Sequence, residues 1–269
     1  MKIATGNHMT PTEMPWAERC KATKEAGFDG IEMWIGTDGF TMDTTDDEIR
    51  ALADAVREAG LEVSSVASTM GWDSPICSPK AGVHERAIEI ATRQLQAAEI
   101  FGTDAILVVT GRHSPENDMM RALSRIVSGF KRIGQVAADK GVRVGAETCP
   151  RLSFNLMTPL ECAAFVESVG TEGVGVYLDT ANVTYSGYPE HFIRALGDNL
   201  IRIHFKDTRE VDGQLKPTWP GNGMVAFRPV MEACREVGYD SWAVMEYGGP
   251  HNAETMAAAA LSTRATIDG

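Results

Sequence analysis

The chain has 269 residues, 43% of them hydrophobic and 23% charged, and carries a formal net charge of −12 from 25 basic and 37 acidic side chains. These values fit a soluble globular protein with a full core. The acid excess argues against a nucleic-acid partner, whose phosphates demand clustered Lys and Arg, and no apolar run approaches the roughly 18 residues of a membrane span.

The first segment, Lys2–Thr5, is strand-like and lacks the apolar core of a signal peptide. Further strands are predicted at Gly30–Trp34, Glu62–Ala67, Ala105–Val109, Val142–Glu147, Val174–Asp179, Leu200–Phe205 and Trp242–Glu246. Helical spacing of apolar residues falls between them. Asp46–Ala59 stops at Gly60, Val83–Phe101 at Gly102, Asn117–Lys140 at Gly141 and Phe227–Val237 at Gly238. Thr158, Pro159 and Glu161 form a helix start. Helices that stop at Gly and are soon followed by an apolar strand mark a repeated βα unit.

Eight such units predict an α/β fold, a (β/α)₈ TIM barrel occupying residues 1–269 as a single domain. The rival doubly wound sheet is disfavoured, because Gly6-Asn7-His8 follows the first strand where a G-x-G-x-x-G would stand. Cys20, Cys77, Cys149, Cys162 and Cys234 lie far apart without a C-x-x-C pair. Buried, reduced thiols and a cytoplasmic location are expected.

Four successive late strands stop on Glu147, Asp179, His204 and Glu246. Barrel active sites sit at the C-terminal strand ends, so these side chains are expected to converge on one quadrant of the rim. Three carboxylates and an imidazole form a candidate site for a divalent ion. Mn²⁺ is favoured, with Mg²⁺, Co²⁺ or Zn²⁺ as alternatives. Any one of these residues alone would be read as an ordinary solvated or salt-bridged strand end. Glu147 and Glu246, flanking the ion, can remove a proton beside a carbonyl and return one to the other face. The ion would stabilise the enediolate between the two steps.

Around them, Lys206 shares the parity of His204 and can bind a substrate hydroxyl or phosphate, or else form a salt bridge with Asp207 or a neighbouring carboxylate. His8, His113 and Arg112 follow strands and are candidate substrate contacts, against a plain surface role. Trp34 and Trp72 could wall a sugar face or simply pack. Glu32, inside a strand, needs a partner. That partner is either a metal-bound histidine or a structural ion pair. Asp207–Val225 is long for a barrel loop and is a candidate lid or subunit contact. His84, His191 and His251 receive no role.

In combination, Gly27-Phe28-Asp29-Gly30-Ile31-Glu32, Glu147, Leu178-Asp179, His204-Phe205-Lys206-Asp207, Pro220-Gly221-Asn222-Gly223 and Gly238-Tyr239-Asp240-Ser241-Trp242 with Glu246 resemble the xylose isomerase-like TIM barrels. That group holds sugar and sugar-phosphate isomerases and epimerases, inosose dehydratases and endonuclease IV. The resemblance implies that Glu147, Asp179, His204 and Glu246 are metal ligands and that Glu147 and Glu246 are the acid/base pair of a ketose 3-epimerase. It also implies a homodimer or homotetramer. Where those epimerases usually carry His three residues after the Asp, this chain has Asn182. Where they usually carry Arg six residues after the metal His, it has Glu210, with Arg209 beside it. The Asp179-Thr180-Ala181-Asn182 stretch, with the H-x-K-D, is closer to branches related to pentulose-phosphate 3-epimerases.

The reading is therefore a metal-dependent isomerase or epimerase of a ketose or ketose phosphate, with a small sugar or sugar phosphate as its partner. A lyase that dehydrates a keto-sugar or keto-inositol is the alternative, and a non-catalytic barrel subunit the third reading. Endonuclease-like repair is disfavoured by six His and the negative charge.

Overall fold

A computed structural model describes residues 1–269 with the exception of Gly248 and Pro250. Each predicted strand forms, its ends shifted by at most one residue. They are β1 (Lys2–Gly6), β2 (Gly30–Ile35), β3 (Glu62–Ser68), β4 (Ala105–Val108), β5 (Arg143–Glu147), β6 (Val174–Asp179) and β7 (Leu200–Phe205). After a hairpin of β8 (Asp207–Val211) and β9 (Gln214–Thr218), the barrel is completed by β10 (Trp242–Met245). The strands close in the order β1-β10-β7-β6-β5-β4-β3-β2, with parallel pairing. The (β/α)₈ expectation is met.

The helices are α1 (Trp16–Glu25), α2 (Asp46–Glu58), α3 (Ala81–Phe101), α4 (Met119–Ala138), α5 (Pro150–Ser153), α6 (Pro159–Val169), α7 (Thr180–Val183), α8 (Pro189–Leu196), α9 (Phe227–Val237) and α10 (Ala253–Asp268). Local chemistry sets their ends. Thr45 with Glu48, and Thr158 with Glu161, form capping boxes that satisfy orphan amides of α2 and α6. Gly102, Gly170 and Gly238 terminate α3, α6 and α9 in the left-handed conformation.

The core has two layers. On β2, Ile31, Met33 and Ile35 pack outward among the helices. Trp34 joins Ala67, Leu107, Tyr177 and Trp242 in a separate cluster inside the barrel. Burial on both faces explains why the strands read as continuous apolar runs. Within β6, a Cβ on Gly175 would stand 2.1 Å from the Asn199 carbonyl oxygen. Backbone cannot rotate away from such a contact. Gly175→Ala is expected to destabilise the fold by roughly 1–3 kcal/mol, the range for overpacking. Urea unfolding checks this, and an unchanged midpoint would contradict it.

The segment expected as a lid is a braced hairpin. Asp212 and Gly213 both have positive φ, 54° and 72°, and form the two-residue turn that suits antiparallel strands. The return is pinned by buried Asp207. Its Oδ1 accepts the N–H of Thr208 at 2.8 Å and of Val225 at 3.0 Å. Its Oδ2 accepts those of Gly221 at 3.1 Å and Gly223 at 2.7 Å. The Asp of H-x-K-D thus organises the P-G-N-G turn.

Candidate metal centre

Glu147 ends β5, Asp179 ends β6, His204 is the penultimate residue of β7, and Glu246 directly follows β10. These four strands are contiguous around the barrel. Four of eight strands span half the rim, which corrects the expected quadrant. Register sets Asp179 level with His204, and Glu147 level with Tyr177. One ligand atom from each of the four residues lies within 4.8 Å of the others. Glu147, Asp179 and His204 are buried, and Glu246 is partly so.

His204 Nδ1 stands 3.6 Å from Glu147 Oε1 and 3.3 Å from Glu246 Oε2. It nevertheless lacks a well-directed hydrogen bond, and so does Asp179 Oδ2. Buried acceptor atoms are almost always satisfied. Two orphans facing two further carboxylates form a cage suited to a cation. The oxygen-rich donor set fits Mg²⁺ or Mn²⁺, and the imidazole favours the transition ions among the candidates.

Lys206 supplies the nearest fixed positive charge. Its Nζ lies 3.0 Å from Glu246 Oε1 and 3.6 Å from Asp179 Oδ2. Its partners are therefore candidate ligands, whereas the adjacent Asp207 is spent on the hairpin. Burial pushes the Asp179 carboxyl up to about 7, with Lys206 opposing and Glu246 reinforcing the rise. Burial acts the same way on Glu246, but Lys206 and His204 outweigh it and hold that carboxyl at about 2. His204 is held well above its usual value: burial opposes the charged ring, but the charge and hydrogen bond of Glu32, with the Glu147 and Glu246 carboxylates close to Nδ1, outweigh it.

Below the ring, Glu32 Oε2 lies 3.0 Å from His204 Nε2 and accepts the Trp34 indole N–H at 2.7 Å. Its Oε1 accepts from Ser65 Oγ at 2.7 Å and Tyr177 OH at 2.6 Å. Of the two partners considered for Glu32, the structure supplies the histidine of the cluster. Trp34 lies parallel to His204, with centroids 6.2 Å apart. Its indole packs and hydrogen-bonds in this network, rather than standing as a free wall.

The remaining candidates divide. His8 packs edge-on to Trp34, 5.1 Å between centroids. Burial lowers its basicity despite the opposing charges of Glu246 and Glu32, and through Trp34, which stacks on His204, it adjoins the cluster. His251, given no role, is half-buried beside Tyr247 and near enough to His8 to depress it. Asn182 donates its backbone N–H to Asp179 Oδ1 at 2.8 Å and its side-chain amide to the Thr148 carbonyl at 3.2 Å. It thereby ties two ligand-bearing strand ends together. His113 is buried with both ring nitrogens unpartnered, and its backbone N–H reaches the Ser153 carbonyl at 3.0 Å. The Arg112 guanidinium lies over the Phe154 ring, 4.8 Å from its centroid. Neither is brought into the four-residue cluster.

Sequence reasoning missed two threonines. Thr148 Oγ1 accepts the Asp179 N–H at 2.9 Å. Thr180 Oγ1 donates to the Lys206 carbonyl at 2.6 Å and accepts its N–H at 3.1 Å. Each directly follows a candidate ligand, in Glu147-Thr148 and Asp179-Thr180, which is the one signal that could have found them. All five cysteines are free and buried, as expected.

A family model described as the xylose isomerase-like TIM barrel matches residues 20–265. An inosose dehydratase of Lacticaseibacillus casei is 28% identical over 214 residues, covering 69% of this chain and 70% of the relative. An L-ribulose-5-phosphate 3-epimerase of Salmonella paratyphi A is 25% identical over 231 residues, covering 83% and 79%. Among solved structures, the D-psicose 3-epimerase of Clostridium cellulolyticum H10, crystallised with D-tagatose, superposes with a TM-score of 0.79 at 20% identity. The match covers 100% of this chain and 97% of that one. At that identity the likeness is one of fold.

Proposed function

The chain belongs to the xylose isomerase-like TIM barrel family, and from that premise we propose that it is a divalent-metal-dependent isomerase or epimerase of a ketose or ketose phosphate. The observation that carries this reading is the convergence of Glu147, Asp179, His204 and Glu246, with unsatisfied His204 Nδ1 and Asp179 Oδ2 among them. These four residues would hold the ion, for which Mn²⁺ is the best match. When bound, a divalent ion polarises the carbonyl and lowers the cost of negative charge beside it.

The residues then divide the work. Glu147 and Glu246 stand on the two outer strands of the four-strand arc, so a sugar between them offers one face to each. One carboxylate takes the proton from the carbon next to the carbonyl, and the other carboxylic acid returns a proton to the opposite face. One C–H bond breaks and one forms, with no net change in composition. Lys206, already paired to Glu246, can shift to a substrate oxygen, and His8 lines the same mouth. Arg112, His113, Asn182 and Trp34 act around this core as outer contacts or supports.

The same proton abstraction followed by loss of a neighbouring hydroxyl would make the protein a dehydratase. The dehydratase relative and the Lys206 ammonium, a hydrogen-bond donor for a leaving hydroxyl, favour keeping this second reading. We place the protein in the cytoplasm. We also expect a homodimer or homotetramer, supported by Met120, Leu160 and Tyr188, which stand 71%, 82% and 65% exposed. No helix among the described residues is long and apolar enough to cross a membrane.

The test is product identification by NMR with a panel of ketoses, ketose phosphates and keto-inositols plus Mn²⁺. A new epimer or isomer supports the leading reading, an unsaturated product with loss of water supports the dehydratase, and an unchanged panel contradicts both.

A further inference from the structure

We infer that Glu32 is a positioning residue that fixes the ion-facing nitrogen of His204 and thereby sets how tightly the centre holds its metal. The inference rests on the metal-centre reading above. Glu32 is 1% exposed, and an isolated carboxylate could not remain charged there. It is retained by four donors drawn from β2, β3, β6 and β7: Trp34, Ser65, Tyr177 and His204. Two hydroxyls hold Oε1 and the indole holds Oε2, so the carboxylate cannot turn away from the imidazole.

An ionised carboxylate accepts hydrogen bonds and donates none. Nε2 of His204, 3.0 Å from Oε2, must therefore carry the hydrogen. In the neutral ring that a bound ion requires, the lone pair is then left on Nδ1, which faces Glu147 and Glu246. The ring plane is held as well, by Trp34 on one side and by Tyr177, whose centroid is 4.6 Å away. Glu32 thus selects the tautomer and presents the ligand in a fixed direction. The nearby negative charge also raises the basicity of the imidazole as a donor. Nothing in this role requires contact with substrate.

The experiment is Mn²⁺ titration without substrate, with the free ion read by electron paramagnetic resonance. Three proteins are compared: wild type, Glu32→Gln and Tyr177→Phe. Glu32→Gln keeps the shape but removes the charge and places an amide N–H₂ among donors. Its Kd for Mn²⁺ is expected to rise about 10–100-fold, the usual cost of losing such a partner. Tyr177→Phe removes one of the two hydroxyls on Oε1 but leaves the charge of Glu32, its Ser65 and Trp34 donors and its contact with His204 in place, so its Kd should move far less. If wild type binds no Mn²⁺, the metal-centre reading fails and takes the inference with it. If wild type binds and Glu32→Gln binds as tightly, or if Tyr177→Phe weakens binding equally, the inference alone fails. Should Glu32→Gln not fold, ¹⁵N NMR of the Zn²⁺-loaded wild type decides. A proton on His204 Nε2 supports the assignment, and a proton on Nδ1 overturns it.

Discussion

Glu147→Gln and Glu246→Gln are each expected to lower the rate of proton exchange beside the substrate carbonyl by about 10²–10⁴-fold, the usual contribution of a positioned acid or base. The amide keeps an oxygen that can still approach an ion but cannot carry a proton between carbon and solvent. Some metal should therefore remain bound in both variants. The two residues reach the site from β5 and β10, on either side of Asp179 and His204. Neither can take over for the other without crossing the substrate. Exchange rates and metal content, measured on the same samples, separate lost chemistry from lost metal. Wild-type exchange in either variant would show that the pair does not act as acid and base.

Removal of the ion should abolish activity altogether, and its binding should depend on pH. Asp179 holds its proton up to about 7 in the ion-free protein, chiefly because it is buried. Binding requires the carboxylate, so the ion must displace that proton. Mn²⁺ affinity is expected to be weak at pH 6, to rise through pH 7 and to go on rising above it, because His204, whose own basicity is raised, must also give up a proton, with protons released on binding. Calorimetry in buffers of different ionisation enthalpy reads the release directly. Chelation should give an inactive but folded protein that Mn²⁺ restores, and Asp179→Asn should lose the ion. Affinity independent of pH, or activity that survives chelation, would contradict this account.

Much of the candidate site was legible because of how a barrel is built. Strands buried on both faces read as unbroken apolar runs, so a carboxylate or imidazole that ends four of them stands out. Closure of the sheet then brings Glu147, Asp179, His204 and Glu246 together, since their strands are neighbours in both chain and space. What closes across the barrel was not legible. Glu32 and His204 are 172 residues apart, and Glu32 and Tyr177 are 145. A single sequence shows that Glu32 needs a partner but not which one it finds. The rim geometry was misjudged because four consecutive strands of eight must span half a circle. Asp212-Gly213 is a hairpin signal in the sequence, and it outweighs the length of the loop as a guide to this segment. The purpose of Asp207 was hidden because it acts on backbone amides, Gly221 and Gly223 among them, that carry no side-chain signal.

Deuterium exchange tests the central claim most directly. The Mn²⁺-loaded protein is incubated in D₂O with ketoses and ketose phosphates, and the sugars are read by proton NMR before and after chelation. The account predicts deuterium at the carbon beside the carbonyl, in starting sugar and product alike, and none once the ion is removed. Full metal occupancy with no exchange across the panel would contradict it.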